Sequence, residues 1–251
     1  MKISIITVTY NSGATITDTL LSVSEQTYKD IEHIIIDGGS KDNTLGLIQK
    51  YGEHVKIIIS ESDKGVYDAM NKGISLATGD YIGFLNSDDI YVDETIIALV
   101  MEKMEVEGTD ACYGDLVYVK SNDTNKIVRY WKSGVFKRTR FKNGWIPPHP
   151  TFFVRKEIYK KYGLFDLNYK LAADYELMSR FINLHSISLT YIPKVLIKMR
   201  LGGMTNKNVT NIFTQNMEIL AAAKANGIST SLFRLGMNKL FRRGLEFISK
   251  P

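Results

Sequence analysis

Short β-branched runs alternate along the first hundred residues with segments whose apolar positions recur every three or four residues. Lys2 to Tyr10 (KISIITVTY) suits a strand buried on both faces, and Asn11, Ser12 and Gly13 end it. Within 15–27, Ile16, Leu20, Leu21 and Val23 stand at near-helical spacing, and Ile31 to Ile36 forms a second strand closing on Asp-Gly-Gly-Ser. The alternation continues with a helix from Asp42 to Tyr51, a strand from Val55 to Ser60, a helix from Val66 to Ala77 and a strand from Tyr81 to Leu85. Strand–helix–strand order predicts an α/β fold with a mainly parallel sheet, because parallel neighbours need crossover connections that helices supply. Ligands of such sheets bind beyond the C-terminal ends of the strands.

Beyond Ala111 the regularity weakens. Leu116 to Lys120 and Ile127 to Trp131 read as a hairpin turning at Ser121-Asn122-Asp123, followed by a helix from Tyr175 to Asn183 and a strand from Ser188 to Ile192. No repeat or low-complexity tract interrupts the chain. It divides into a regular α/β half (1–115), a second half completing the same domain (116–223) and a C-terminal extension (224–251).

The ends of the first four strands carry the polar residues: Tyr10-Asn11, Asp37, Asp63-Lys64 and Asp88-Asp89. One polar ending is ordinary loop chemistry, whereas four acidic or polar endings on one sheet edge point to a site. The adjacent carboxylates of Asp88 and Asp89 repel unless one is protonated or a cation lies between them. A hard divalent ion, Mn²⁺ or Mg²⁺, held by one or two carboxylates and completed by phosphate oxygens, satisfies that requirement. The alternative is that Asp88 or Asp89 caps a helix starting near Asp93. Neither a GxGxxG nor a GxxxxGK[ST] pattern is present, which argues against nicotinamide-dependent dehydrogenases and P-loop ATPases.

The runs SIITVTYNSGATITDTLLSVSEQTY, IIIDGGSKDNT and SDKGVYDAMNKGISLATGDYIGFLNSDD together resemble the nucleotide-binding half of family 2 glycosyltransferases, enzymes of the GT-A fold. GVYDAMNKGI with PPHPTFF, AADYELMSRF and MRLGGMT is similar, more narrowly, to bacterial glycosyltransferases of colanic-acid, exopolysaccharide and O-antigen biosynthesis, over residues 1 to about 205. The resemblance implies inverting transfer of a sugar from a nucleoside diphosphate donor, UDP- or GDP-type, to a saccharide or lipid-linked acceptor. It implies that Tyr10 and Asp37 contact the nucleoside and that the DxD-type motif falls on Asn86-Ser87-Asp88, with Asp88 and Asp89 as metal ligands. The general base of that family lies in an acidic pair before a helix, whose second place is filled here by Asp174 and whose first holds Ala173. An inverting reaction needs a carboxylate on the acceptor side to take the hydroxyl proton while a metal stabilises the departing diphosphate.

Further nucleotide-sugar contacts are expected from Thr7, from Lys64 and Arg200, whose charge could neutralise a diphosphate, and from Asp68. Asp68 and Asn71 share one helix face and either position the donor sugar or join helix to loop. His149, held extended between prolines, is expected on the acceptor side.

At 251 residues, 44% apolar and 24% charged, the chain carries enough apolar material for one large folded domain. Its one cysteine, Cys112, allows neither an internal disulfide nor a zinc knuckle, which fits a reducing, cytoplasmic setting. No run approaches the roughly 20 apolar residues that span a bilayer, and the N-terminal apolar run reads as the first strand and not as a leader. Charge is uneven: residues 1–125 hold 9 Lys+Arg against 21 Asp+Glu, and residues 126–161 hold 11 against 1. The basic stretch beside an acidic half, with no nucleic-acid motif, argues against nucleic-acid binding. Residues 231–248 place Phe233, Met237, Leu240, Phe241, Leu245 and Ile248 at helical spacing with Arg234, Lys239, Arg242 and Arg243 largely elsewhere. This basic amphipathic helix either docks on the domain or lies on the inner face of an anionic membrane; a peripheral membrane contact is the favoured expectation. Two rival functions use the same carboxylates: a metal-dependent nucleotide-sugar hydrolase, and a non-catalytic nucleotide-sugar-binding module.

Overall fold

The computed structural model describes residues 1–202 and 209–238 of the chain. Four strands, β1 (Ile3–Thr9), β2 (Ile31–Asp37), β3 (Val55–Ser60) and β4 (Tyr81–Phe84), run parallel in the order β3-β2-β1-β4. Helices α1 (Ile16–Ser24), α2 (Thr44–Tyr51) and α3 (Val66–Leu76) make the crossovers. Every residue of β1 is buried, as its unbroken β-branched run requires, because helices cover both sheet faces. Ile16, Leu20, Ile35 and Ile48 close one side, while Ala69, Met70 and Ile74 of α3 pack on Ile6, Ile34 and Ile36 from the other. Gly73 permits that approach: a Cβ there would lie 2.4 Å from Cγ2 of Ile6.

Beyond β4 the sheet becomes mixed. The strands β5 (Asp89–Tyr91), β6 (Ala111–Lys120), β7 (Asp123–Trp131), β8 (Phe153–Arg155) and β9 (Leu189–Arg200) complete one nine-stranded sheet, ordered β3-β2-β1-β4-β8-β6-β9-β5, with β7 paired to β6. Helix α4 (Ile96–Glu107) buries Val100, Met101 and Met104 against Ile3, Ile5, Leu116 and Ile197. The boundary expected at 115/116 falls inside β6, so both halves share one sheet.

Several elements differ from their expected extent. Both hairpin strands begin earlier, β6 at Ala111 and β7 at Asp123, which leaves Ser121-Asn122 as the turn. The last strand continues to Arg200, because the ladder with β6 shifts register between Tyr113 and Leu116, where Pro193 lies and can donate no hydrogen bond. The helix expected over Tyr175–Asn183 is α6 (Ala173–Ser179), followed by a wider π turn over Arg180–Leu184 closed by the His185 amide on the Arg180 carbonyl. Helix α5 (Lys156–Tyr162) precedes it and α7 (Val209–Ala225) packs on α6. A short helix at 232–238 follows, and the remainder of the expected amphipathic helix, 239–251, lies outside the described residues.

Candidate active site at the C-terminal sheet edge

Because β1 to β4 are parallel, Thr9, Asp37, Ser60 and Phe84 end on the same edge, and the loops that follow build the site. Asp37 is fully buried. Its carboxylate accepts from Ser60 Oγ at 2.7 Å, from the amides of Gly39 and Ser40 at 3.1 and 3.0 Å, and from Ser40 Oγ. It therefore shapes the turn at 38–40, where Gly39 adopts a φ of 82° that favours glycine. Gly38 is confined between Tyr10 and Asp63: a Cβ there would stand 2.6 Å from Asp63 Oδ2 and 3.4 Å from Tyr10 Cδ2.

Tyr10 itself is 62% exposed, an aromatic ring standing open on this edge. Its loop is locked by bonds to the next crossover: Asn11, at a left-handed φ of 50°, donates its amide to Ser40 Oγ and accepts from the Lys41 amide, both at 2.8 Å. The amides of Ser12 and Gly13 bond Thr44 Oγ1 and Asp42 Oδ2. Lys64 is exposed at the start of α3. Asp68 accepts from the Lys64 amide at 3.0 Å and lies 3.8 Å from Lys72. Asn71 takes the helix-to-loop role, bonding both the amide and the carbonyl of Phe165.

The segment 86–89 makes a tight turn, with the Asp89 amide on the Asn86 carbonyl, and enters β5, which pairs with the end of β9. Thr19 Oγ1 holds the Asp89 carbonyl at 2.8 Å, and Ser87 shares a hydrogen bond with Ser12. Asp88 is partly accessible, whereas Asp89 is fully buried. Burial raises both carboxyls above the usual range, and the charge of Asp88 raises Asp89 further. Asp89 accepts from Asn86 Nδ2 through Oδ2, but Asp89 Oδ1 and Asn86 Oδ1 are buried without a partner among the described residues. Neither aspartate caps α4, since Asp93 takes the Thr95 amide instead.

Orphaned acceptor oxygens beside two raised carboxyls suit a cation of hard oxygen preference. Among the described residues no group of three His, Cys, Asp or Glu side chains could hold a metal, so the chain offers two carboxylates and would leave the other positions to ligand oxygens or water.

On the facing side, His149 lies in a short 3-10 turn (His149–Thr151) against Phe84 and Phe165, with ring centroids 5.2 and 5.6 Å away. Burial lowers its pKa to about 4, so the ring is neutral at neutral pH. Asp174, in the first turn of α6, accepts through Oδ1 from the Tyr175 amide at 2.8 Å and the Tyr67 hydroxyl at 3.2 Å. Burial raises its carboxyl, against the effect of those two bonds.

Two expected contacts change. Thr7 is completely buried inside β1, with Oγ1 bonded to His33 Nε2 at 2.9 Å, so it serves the core and has no surface for a nucleotide. Arg200 is buried too: its guanidinium donates to the Asp88 carbonyl, the Ser121 carbonyl and the Asp18 carboxylate, which makes it a clamp on the 86–89 turn. Sequence reading missed Thr9, whose buried Oγ1 has no partner among the described residues, at the end of β1 opposite Asp37. It also missed Glu218 of α7, which accepts the amides of Lys170, Leu171 and Ala172 just before Asp174. No local pattern marks either; a threonine in a strand and a glutamate in a helix are unremarkable until the fold places them.

The glycosyl transferase family 2 model matches residues 4–163, and the chain belongs to that family. A PGL/p-HBAD biosynthesis glycosyltransferase of Mycobacterium bovis (strain BCG / Pasteur 1173P2) is 31% identical over 220 residues, 85% of this chain and 83% of that protein. An uncharacterised glycosyltransferase of Mycobacterium tuberculosis (strain CDC 1551 / Oshkosh) is 32% identical over 180 residues, covering 71% and 68%. The fold is that of GT-A glycosyltransferases. S. aureus TarS 1–349 in complex with UDP-GlcNAc superposes with a TM-score of 0.69 at 18% identity, over 88% of this chain and 66% of that one. The mannosyltransferase PcManGT of Pyrobaculum calidifontis, in complex with GDP-Man and Mn²⁺, gives 0.66 at 16% identity, over 96% and 69%. The chain spans 65% of TarS 1–349 in its UDP complex.

Proposed function

We propose that the protein is an inverting, metal-assisted glycosyltransferase that moves a hexosyl or N-acetylhexosaminyl group from a UDP- or GDP-sugar to a saccharide or lipid-linked acceptor in bacterial surface polysaccharide biosynthesis. The observation that carries this reading is the Asp88–Asp89 pair, its second member fully buried, beside the unpartnered oxygens Asp89 Oδ1 and Asn86 Oδ1 on the sheet edge of a family 2 chain. Mn²⁺ or Mg²⁺ held there by Asp88, with Asp89 behind it, would offset the negative charge that builds on the departing diphosphate. Tyr10 and the 38–40 turn shaped by Asp37 receive the nucleoside, and Lys64 and Asp68 line the same edge, towards the sugar. Asp174 takes the proton of the acceptor hydroxyl as its oxygen bonds to the anomeric carbon and the bond from that carbon to the diphosphate breaks. Neutral His149 shapes the acceptor side. The nucleotides named for the structural neighbours, UDP, UDP-GlcNAc and GDP-Man, support the donor class.

The same reading assigns 1–115 to donor binding and 116–223 to the acceptor side, with a cytoplasmic location and a peripheral membrane contact at the C-terminal helix. No helix among the described residues is long and apolar enough to cross a membrane. In helix 232–238, Leu235 is buried close to Gly144, while Leu232, Phe233 and Met237 are exposed, and so is Arg234, which donates to Asn143 Oδ1. Exposed apolar side chains on a helix that also carries a cation suit an anionic bilayer surface.

The test is incubation with Mn²⁺, UDP-GlcNAc or GDP-mannose, and a panel of sugar and lipid-linked acceptors, followed by product analysis. Glycosylated acceptor, lost in Asp174→Asn, is the expected result. Free sugar as the sole product with every acceptor would make the protein a hydrolase, and turnover undiminished in Asp174→Asn would remove the base.

A further inference from the structure

The GVYDAMNKGI segment opens α3 on the donor edge, yet two of its side chains reach across to the acceptor side. Tyr67 and Asn71, four apart, share one helix face. The Tyr67 ring stacks on Phe165 with centroids 5.4 Å apart, and Asn71 bonds the Phe165 backbone at both its amide and its carbonyl. The Tyr67 hydroxyl ends on Asp174 Oδ1, which also receives the Tyr175 amide. Among the described residues nothing bonds Asp174 Oδ2. From the opposite side, Glu218 of α7 holds three consecutive amides, 170–172, at 2.8 to 3.0 Å. The loop leading to Asp174 is thus gripped by α3 and α7 together.

We propose that Tyr67 is a positioning residue for the base: with the Tyr175 amide it occupies Oδ1 of Asp174 and leaves Oδ2 as the oxygen that takes the acceptor's proton. The inference rests on Asp174 acting as the base. In the step, the acceptor O–H bond breaks and its proton goes to Oδ2, the freed electron pair forms the new bond to the anomeric carbon, and the electrons of the old carbon–oxygen bond leave with the diphosphate. Oδ1 carries the anionic charge before the step, shared with Oδ2, and the two donors on it fix the plane of the carboxylate. Asn71 and Glu218 fix the loop and the helix start on which that plane depends.

The titratable groups acting on Asp174 are Tyr67 from α3 and Glu218 from α7, and their effects have opposite signs. A donor to the carboxylate favours its charged form, and a neighbouring anion opposes it. The experiment follows the Asp174 carboxyl by carbon-13 NMR in the full chain labelled at the aspartate side-chain carboxyl, with its signal identified by its disappearance in Asp174→Asn. Tyr67→Phe is expected to move the Asp174 midpoint up by about one pH unit, the size of one lost hydrogen bond to a charged group. Glu218→Gln is expected to move it down. A general loosening of the loop would not produce opposite shifts. Should Tyr67→Phe fail to fold, 3-fluorotyrosine at position 67 keeps the ring stack and strengthens the donor, and is expected to lower the midpoint. An unchanged midpoint in folded Tyr67→Phe, or with 3-fluorotyrosine, overturns the proposal and leaves the base assignment standing. Full turnover in Asp174→Asn would overturn the base assignment whatever the titration shows.

Discussion

Arg200 at the end of β9 donates Nη1 to the backbone carbonyl of Asp88 at 2.9 Å, so the turn that carries the paired carboxylates is held by a strand 112 residues further along the chain. The same guanidinium reaches Asp18 of α1 and the carbonyl of Ser121. Lysine cannot reproduce that fork, since its point charge serves one direction at a time. Arg200→Lys is expected to lower unfolding free energy by about 2 kcal/mol, the scale of charged hydrogen bonds lost at a buried site. Urea titration checks this. Nucleotide-dependent stabilisation with Mn²⁺ should weaken at least in parallel, because the turn is freed.

Thr7 and Tyr10 stand three residues apart on one strand end and separate stability from binding. Thr7→Val removes a buried hydrogen bond to His33 and is expected to cost about 1 to 2 kcal/mol with nucleotide binding unchanged. Tyr10→Ala removes an exposed ring and is expected to leave the melting temperature of the free protein within a degree or so while weakening UDP or GDP binding. Calorimetry on both variants makes the comparison.

How far the sequence discloses this arrangement depends on whether the information is local. The parallel half was legible because β1 to β4 are short, mainly apolar runs separated by segments of helical period, and their polar ends mark the edge at Tyr10, Asp37 and Asp88. The mixed half was less so: β5 is three residues long, and β9 passes Pro193 on a register shift that only its partner β6 makes possible. Thr7 and Arg200 read as ligand contacts in the sequence for one reason. A polar side chain near a predicted site looks like a ligand contact until His33, Asp18 and Ser121, distant in sequence, are seen to satisfy it. Thr9 and Glu218 were invisible for the converse reason.

Acid should expose the buried histidine of the acceptor side. Folding lowers the pKa of His149 from 6.5 to about 4, so its contribution is complete above pH 6.5 and is lost as pH falls from 6.5 towards 4, where the unfolded chain binds a proton that the folded site refuses. The loss is on the order of 2 to 3 kcal/mol after allowance for partial solvent access. His149→Phe is expected to flatten the decline of melting temperature across that window, measured by scanning calorimetry. His33, lowered to about 3, keeps a parallel decline in both proteins.

The ridge formed by Phe233 and Met237 gives the membrane contact a direct check. Cosedimentation of the full chain with vesicles containing about one third phosphatidylglycerol is expected to carry the protein down at low salt and to fall with ionic strength. A Phe233→Glu, Met237→Glu double variant is expected to stay in the supernatant with an unchanged melting temperature, since both side chains are exposed. Equal sedimentation of the two proteins would remove the contact.

The paired aspartates can be tested in the free and the liganded protein at once. Burying like charges disfavours the ionised pair, so Asp88→Asn and Asp89→Asn should each match or exceed the unsubstituted protein in melting temperature without ligand. With Mn²⁺ and UDP or GDP added, the unsubstituted protein alone should gain stability, by about 2.7 kcal/mol at a ligand concentration a hundredfold above Kd. A thermal shift of the same size in all three proteins would mean that the nucleotide and the cation bind elsewhere, and would contradict the site proposed at the end of β4.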